Sequence, residues 1–179
     1  MTFDCHANKK NTQIYIYLTK MALIKGQEIM VFLNSHAVAF ATNHTLNLTA
    51  NQVDVASKDH GTWGAKEIQN IDWEASTENL YCSYVSGQNN YDTLFDAMVN
   101  KTQLDLVFGK PTNWDENGLT RGGNTSDSAP TEWNSGTSYL SGKCYITSLQ
   151  LNASNGENAN YTATFTGSGP ITRVGSYLI

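Results

Sequence analysis

The chain has 179 residues, the length of one ordinary domain with or without a tail, and 40% of them are hydrophobic. Only 15% are charged, and Asn, Thr, Ser and Gly fill the difference, a mixture that favours strands and turns over helices. Sixteen acidic against eleven basic residues give a formal net charge of −5, which argues against a module that grips nucleic acid through a basic stripe.

Residues 1–20 differ from the rest. Lys9, Lys10 and Lys20 oppose Asp4 alone, and the apolar run Ile14 to Leu18 is too short for a secretory or membrane-spanning segment. Met21 offers a second start. Residues 1–20 are therefore read as an upstream extension of the reading frame or a flexible arm, and 21–179 as one domain. Cys5, Cys82 and Cys144 are odd in number and widely spaced, which fits neither a disulfide framework nor a structural zinc site.

From Met21 onward the pattern is mostly period two. Glu28 to Leu33 and Ala37 to Ala41 are short apolar runs parted by Asn34-Ser35, the spacing of a hairpin. Leu46 and Leu48 alternate with Thr45, Asn47 and Thr49, and Ile71, Trp73 and Ala75 alternate with Asp72, Glu74 and Ser76. Trp73 then belongs to the core. A polar loop is expected over 57–70. Residues 91, 94, 95, 98 and 99 carry the apolar stripe of an amphipathic helix over about 90–100, with Asn90 as its N-cap. A strand from Gln103 to Phe108 leads into a long loop, 109–138, which holds Trp114, Trp133 and an Asp115-Glu116-Asn117-Gly118 turn. Cys144 to Leu151 is a strand whose alternation slips between Ile146 and Leu149, as a bulge would make it. Tyr161, Ala163 and Phe165 alternate with Thr162, Thr164 and Thr166 in the last strand. The expected fold is mainly β, a sandwich or partly closed barrel with one flanking helix.

No catalytic, metal or cofactor constellation emerges. His6, His36, His44 and His60 lack metal-ligand spacing, and nucleophile-elbow and phosphate-loop motifs are absent. Asp72, Glu74 and Glu78 lie at period two on one strand and define a wet face rather than a converging acid–base pair.

Three blocks carry a resemblance. The first is Val53-Asp54-Val55-Ala56-Ser57-Lys58-Asp59 followed by Gly61 and Trp63. The second is Trp73 with Ala75-Ser76, and the third is Thr166-Gly167-Ser168-Gly169 near the end. In this order, over about residues 21–173, the chain resembles the major tail protein (tail tube) family of long-tailed bacteriophages. The resemblance implies hexameric rings stacked into a tube through which the genome passes, in the virion tail, after synthesis and assembly in the host cytoplasm. Tape-measure, tail-terminator and baseplate or distal tail proteins would be its partners, with no membrane, no cofactor and no enzymatic activity. It also implies that the loop after Ser57 reaches the neighbouring ring, which makes Lys58, Asp59, His60 and Trp63 candidates for inter-ring contact.

A conduit needs a lumen that does not hold DNA, so a hydrophilic, acidic strand face suits it. Asp72, Glu74 and Glu78 are the candidates for that lining, with the Thr162, Thr164 and Thr166 face as a neutral alternative. Two other readings stay open: the tube of a contractile injection device or tailocin, and a carbohydrate-binding β-sandwich using the loop tryptophans.

Overall fold

The computed structural model describes residues 24, 26–61, 63–83, 87–111 and 135–175. Residues 1–20, Trp114, Trp133 and the Asp115–Gly118 turn lie outside the described residues. Eight strands and one α-helix occur among the described residues. The strands are β1 (Met30–Leu33), β2 (His36–Ala37), β3 (Ala41–Asp54), β4 (Lys66–Leu80), β5 (Leu104–Pro111), β6 (Ser135–Asn152), β7 (Asn160–Gly167) and β8 (Thr172–Val174), with helix α1 (Tyr91–Val99) between β4 and β5. All strand pairs are antiparallel, in the order β2-β1-β5-β6-β7-β4-β3, with β8 added to β6. The mainly β fold with one flanking helix is as expected, and its strands make a single sheet that does not close.

Local sequence accounts for several of these elements. Asn34 and Ser35 both take positive φ, 50° and 70°, and connect the Leu33↔His36 pair as a two-residue turn with the twist that hairpins favour. The second apolar run is strand only at His36–Ala37, because Val38 turns away to bridge Asn89 and Phe40 adopts a φ of 51°. Asn90 caps α1 with a reciprocal pair: its Oδ1 accepts from the Thr93 amide at 3.0 Å, and Thr93 Oγ1 accepts from the Asn90 amide at 2.9 Å. The expected bulge falls between Ile146 and Ser148, where the β6–β7 register slips.

Strands run farther than alternation alone indicates. The loop expected over 57–70 is shorter, because residues 66–70 belong to β4 and pair with β3. The loop expected over 109–138 gives up its two ends to β5 and β6.

One sheet face builds the core. Val31, Leu33, Leu104, Leu106, Cys144, Ile146, Trp73, Ala75, Ala163, Phe165 and Tyr161 are all buried there with Leu94 of α1. Tyr91 meets the Tyr161 ring edge-on at 5.6 Å, which fixes the helix over the end of β7. Trp73 lies across β7 and β6 at two glycines. A Cβ on Gly142 would come within 2.6 Å of the indole, and one on Gly167 would fall inside it. The indole N–H donates to the Gly169 carbonyl at 2.9 Å, so the Thr166-Gly167-Ser168-Gly169 block has a packing reason.

His44 shares this face, opposite Thr77, and neither ring nitrogen has a hydrogen-bond partner among the described residues. Burial lowers its pKa from 6.5 to about 4. The unfolded chain takes up a proton below about pH 6.5, whereas the folded chain does so only near pH 4. Stability contributed by the neutral ring is therefore lost as pH falls through that window, about 3 kcal/mol by pH 4. Urea midpoints measured between pH 7 and pH 4 should fall less steeply for His44→Leu than for the parent. Identical slopes would refute the assignment.

Candidate assembly surfaces

Across β3, β4 and β7 the other face of the sheet is mostly polar, whereas its β2-β1-β5 end carries Phe32, Ala37 and Val107. Strand pairing sets Glu74 opposite Thr166, Ser76 opposite Thr164 and Glu78 opposite Thr162. On the far side of β4, Asn43, Thr45, Asn47 and Thr49 face Glu78, Ser76, Glu74 and Asp72. Beyond β7, the surface continues through Ser148, Gln150 and Asn152 of β6. The acidic and the threonine candidates thus occupy a single surface, a relation that neither strand reveals alone.

Hydrogen bonds knit this surface together. Thr45 Oγ1 and Ser76 Oγ are 2.7 Å apart, and Thr147 and Thr166 share a hydroxyl–hydroxyl bond of 2.9 Å. Asp72 accepts from the Asn51 side chain at 2.6 Å and from Asn70 at 3.4 Å. Lys143 is also on this face, and it pairs with Asp105 at 2.9 Å. Asp72, Glu74 and Glu78 are exposed and have no ion pair among the described residues. An acidic, hydroxyl- and amide-rich surface follows, on which the described residues place no unpaired cation to hold phosphate.

The second surface is the β3–β4 hairpin. β4 pairs with β7 only from Glu74 onward, so the stretch from Lys66 to Asp72 has β3 as its only strand partner among the described residues and projects beyond the sheet. At its end, Lys58–His60 forms a 3-10 turn, Gly61 turns the chain with a φ of +66°, and Trp63 is 84% exposed. Lys58, Asp59, His60 and Trp63 are therefore together at the tip.

The core face continues onto this projection. Leu48 pairs with Trp73, Ala50 with Ile71, and Gln52 with Ile68. The register slip between Asn51 and Gln52 leaves Gln69 as the extra residue, which keeps Ile68 on the side of Ile71 although the two are three positions apart. Leu48, Ile68 and Ile71 are 51%, 59% and 61% exposed. Leu48, Ile71 and Trp73 form one wall of a groove whose other wall is Gly167, Gly169, Pro170 and Ile171.

A third surface is the outer side of α1. Its apolar arc is wider than the sheet beneath it. Leu94 is buried and Tyr91 and Ala97 half-buried, while Phe95, Met98 and Val99, all expected on the apolar stripe, are exposed. No group of three or more His, Cys, Asp or Glu side chains positioned for a metal occurs among the described residues.

The fold is similar to that of three solved chains. One is from the virion of a native gene transfer agent particle: 12% identity, TM-score 0.63, covering 86% of this chain and 100% of that one. Another is from the SPP1 tail tube: 12% identity, TM-score 0.59, covering 86% and 80%. The third is from the sheath/tube terminator of the extracellular contractile injection system PVC: 11% identity, TM-score 0.56, covering 86% and 98%. No curated protein matches the sequence significantly. A family model described as phage tail tube protein matches residues 25–173, a span that takes in the helix, the hairpin and all of the sheet but the last residue of β8, and the chain belongs to that family.

Proposed function

We propose that this chain is the structural subunit of a virion tail tube, in which six copies close a ring, rings stack, and the polar sheet face lines the channel for viral DNA. The observation that carries the reading is the register that unites Asp72, Glu74 and Glu78 with Thr162, Thr164 and Thr166 on one surface. Phosphate charges are repelled by the carboxylates, and the hydroxyls and amides keep the wall wet without offering a cation.

Ring closure has its own physical motive. Among the described residues β3 is a long edge strand, and sheet-to-sheet joining between subunits satisfies the backbone groups on its outer side. Lys58, Asp59, His60 and Trp63 at the hairpin tip then reach the adjacent ring. Tape-measure protein inside the tube, and terminator and baseplate or distal tail proteins at its ends, complete the assembly in the host cytoplasm.

Negative-stain microscopy of the concentrated, purified chain tests the reading. Rings or tubes on the order of 100 Å across are expected for six packed domains of this size. Dispersed monomers at every concentration would exclude it.

A further inference from the structure

We propose that Asn155, at the tip of the turn between β6 and β7, is a site of spontaneous modification: its side-chain amide closes onto the Gly156 backbone nitrogen to give a succinimide, which water opens to aspartate or isoaspartate. The site goes beyond the tail-tube reading and does not depend on it.

The reaction needs a side-chain amide that nothing holds, a backbone nitrogen free to turn toward it, and no side chain on the following residue to crowd the approach. Asn155-Gly156 is one of two Asn-Gly pairs in the chain, and the other, Asn117-Gly118, lies outside the described residues. The Glu157 amide donates to the Ser154 carbonyl at 3.2 Å, which makes Asn155 and Gly156 the central residues of a β-turn. Gly156 takes a φ of +87°, and a Cβ built on it would meet no atom within 4 Å. Neither the Asn155 side chain nor the Gly156 amide makes a hydrogen bond among the described residues. Residues 153–158 are all exposed, so water reaches the bond that reacts. The ladder below the turn is closed, with the Asn152 side-chain amide donating to Asn160 Oδ1 at 3.1 Å, so only the tip is loosely held.

Other asparagines are engaged by the fold. Asn34, followed by the small Ser35, accepts from the Asp105 amide at 2.9 Å through Oδ1. Asn89 donates to the Leu33 and His36 carbonyls at 2.9 and 2.8 Å, Asn90 caps α1, and Asn51 and Asn70 donate to Asp72. Asn47 and Asn158 have no such partner among the described residues, but the side chains of Leu48 and Ala159 crowd the attacking nitrogen. At Asn155 the Gly156 nitrogen gives its proton to base and bonds to the side-chain carbonyl carbon. The bond from that carbon to the amide nitrogen breaks, and the nitrogen takes a proton from solvent and leaves as ammonia. Water then adds to either carbonyl of the ring. One opening gives aspartate, and the other gives isoaspartate, whose main chain runs through the former side-chain methylene. Either product places a new carboxylate beside Glu157, at the end of the sheet opposite the β3–β4 hairpin tip.

The test incubates the full-length chain in warm, mildly alkaline buffer, once folded and once in guanidinium chloride, and maps the digested peptides by mass. In the folded chain the Asn155 peptide should gain the mass of one deamidation and split into aspartyl and isoaspartyl forms, at the rate it shows in denaturant. The Asn34 peptide should convert only in denaturant, where its bond to the Asp105 amide is lost. Raising the pH should speed the change at Asn155, because the backbone nitrogen attacks in its deprotonated form. Asn155→Gln should abolish the modification at this position while leaving circular dichroism unchanged, because the longer side chain must close a larger ring. An Asn155 peptide that stays unmodified in the folded chain, or that converts there far more slowly than in denaturant, would overturn the proposal. Conversion of the Asn155→Gln variant at the parental rate would overturn it as well.

Discussion

Trp73→Ala is expected to lower the free energy of unfolding by about 4 kcal/mol, the range for removing a buried tryptophan. The residue is 4% exposed, spans from β4 over β7 to β6, and donates its indole N–H to Gly169. Gly167→Ala should cost about 3 kcal/mol in the parent, because a methyl group there must displace the ring. In the Trp73→Ala background the same glycine change should cost under about 1 kcal/mol, since the space it invades is then empty. Denaturant midpoints for the four proteins of this cycle give the answer. Additive effects would mean that the ring and the glycine do not share the contact described.

That contact also shows where reading the sequence stops. Trp73 is recognisable as a core residue from its alternation with Asp72 and Glu74, and the Asn34-Ser35 turn, the Asn90-capped helix and the slip after Ile146 are all local signals. Each depends on neighbours within a few positions, so each survives in the linear text. What pairs with what does not. Glu74 and Thr166 are opposite one another although 92 positions separate them in the chain, and only the register makes a single surface of their strands.

Residues 66–70 are hidden for a different reason. The bulge at Gln69 spaces Ile68 and Ile71 by three, so the run has neither the strand period nor the helix period, and its partner β3 alone holds it extended. The helix stripe was legible as apolar, but which part of it would be covered depends on the width of the sheet below, which no helical pattern encodes. Both misreadings concern apolar residues that the isolated fold leaves in water, the surfaces where an assembling protein departs from the pattern of a monomer.

Replacing Asp72 and Glu74 together by lysine is expected to leave tubes intact and slow DNA ejection by about 100-fold or more at low salt. The two side chains are exposed on the polar face, and the contacts Asp72 makes to Asn51 and Asn70 are exposed too, so the fold loses little. Each substitution turns a repelling charge into a phosphate-binding one, and the ring repeats the change in every subunit along the tube. DNA sliding past such a wall meets a series of cation contacts whose combined hold rises steeply with their number and falls with salt. Ejection from the substituted virions should therefore recover as ionic strength is raised, while the parent changes little. The neutral pair Asp72→Asn with Glu74→Gln should fall between the two, because it removes repulsion without adding attraction. Parental ejection rates from lysine-substituted virions at low salt would move the lumen to another face. A slow rate that salt does not relieve would point instead to damaged stacking, since only the electrostatic cause is screened.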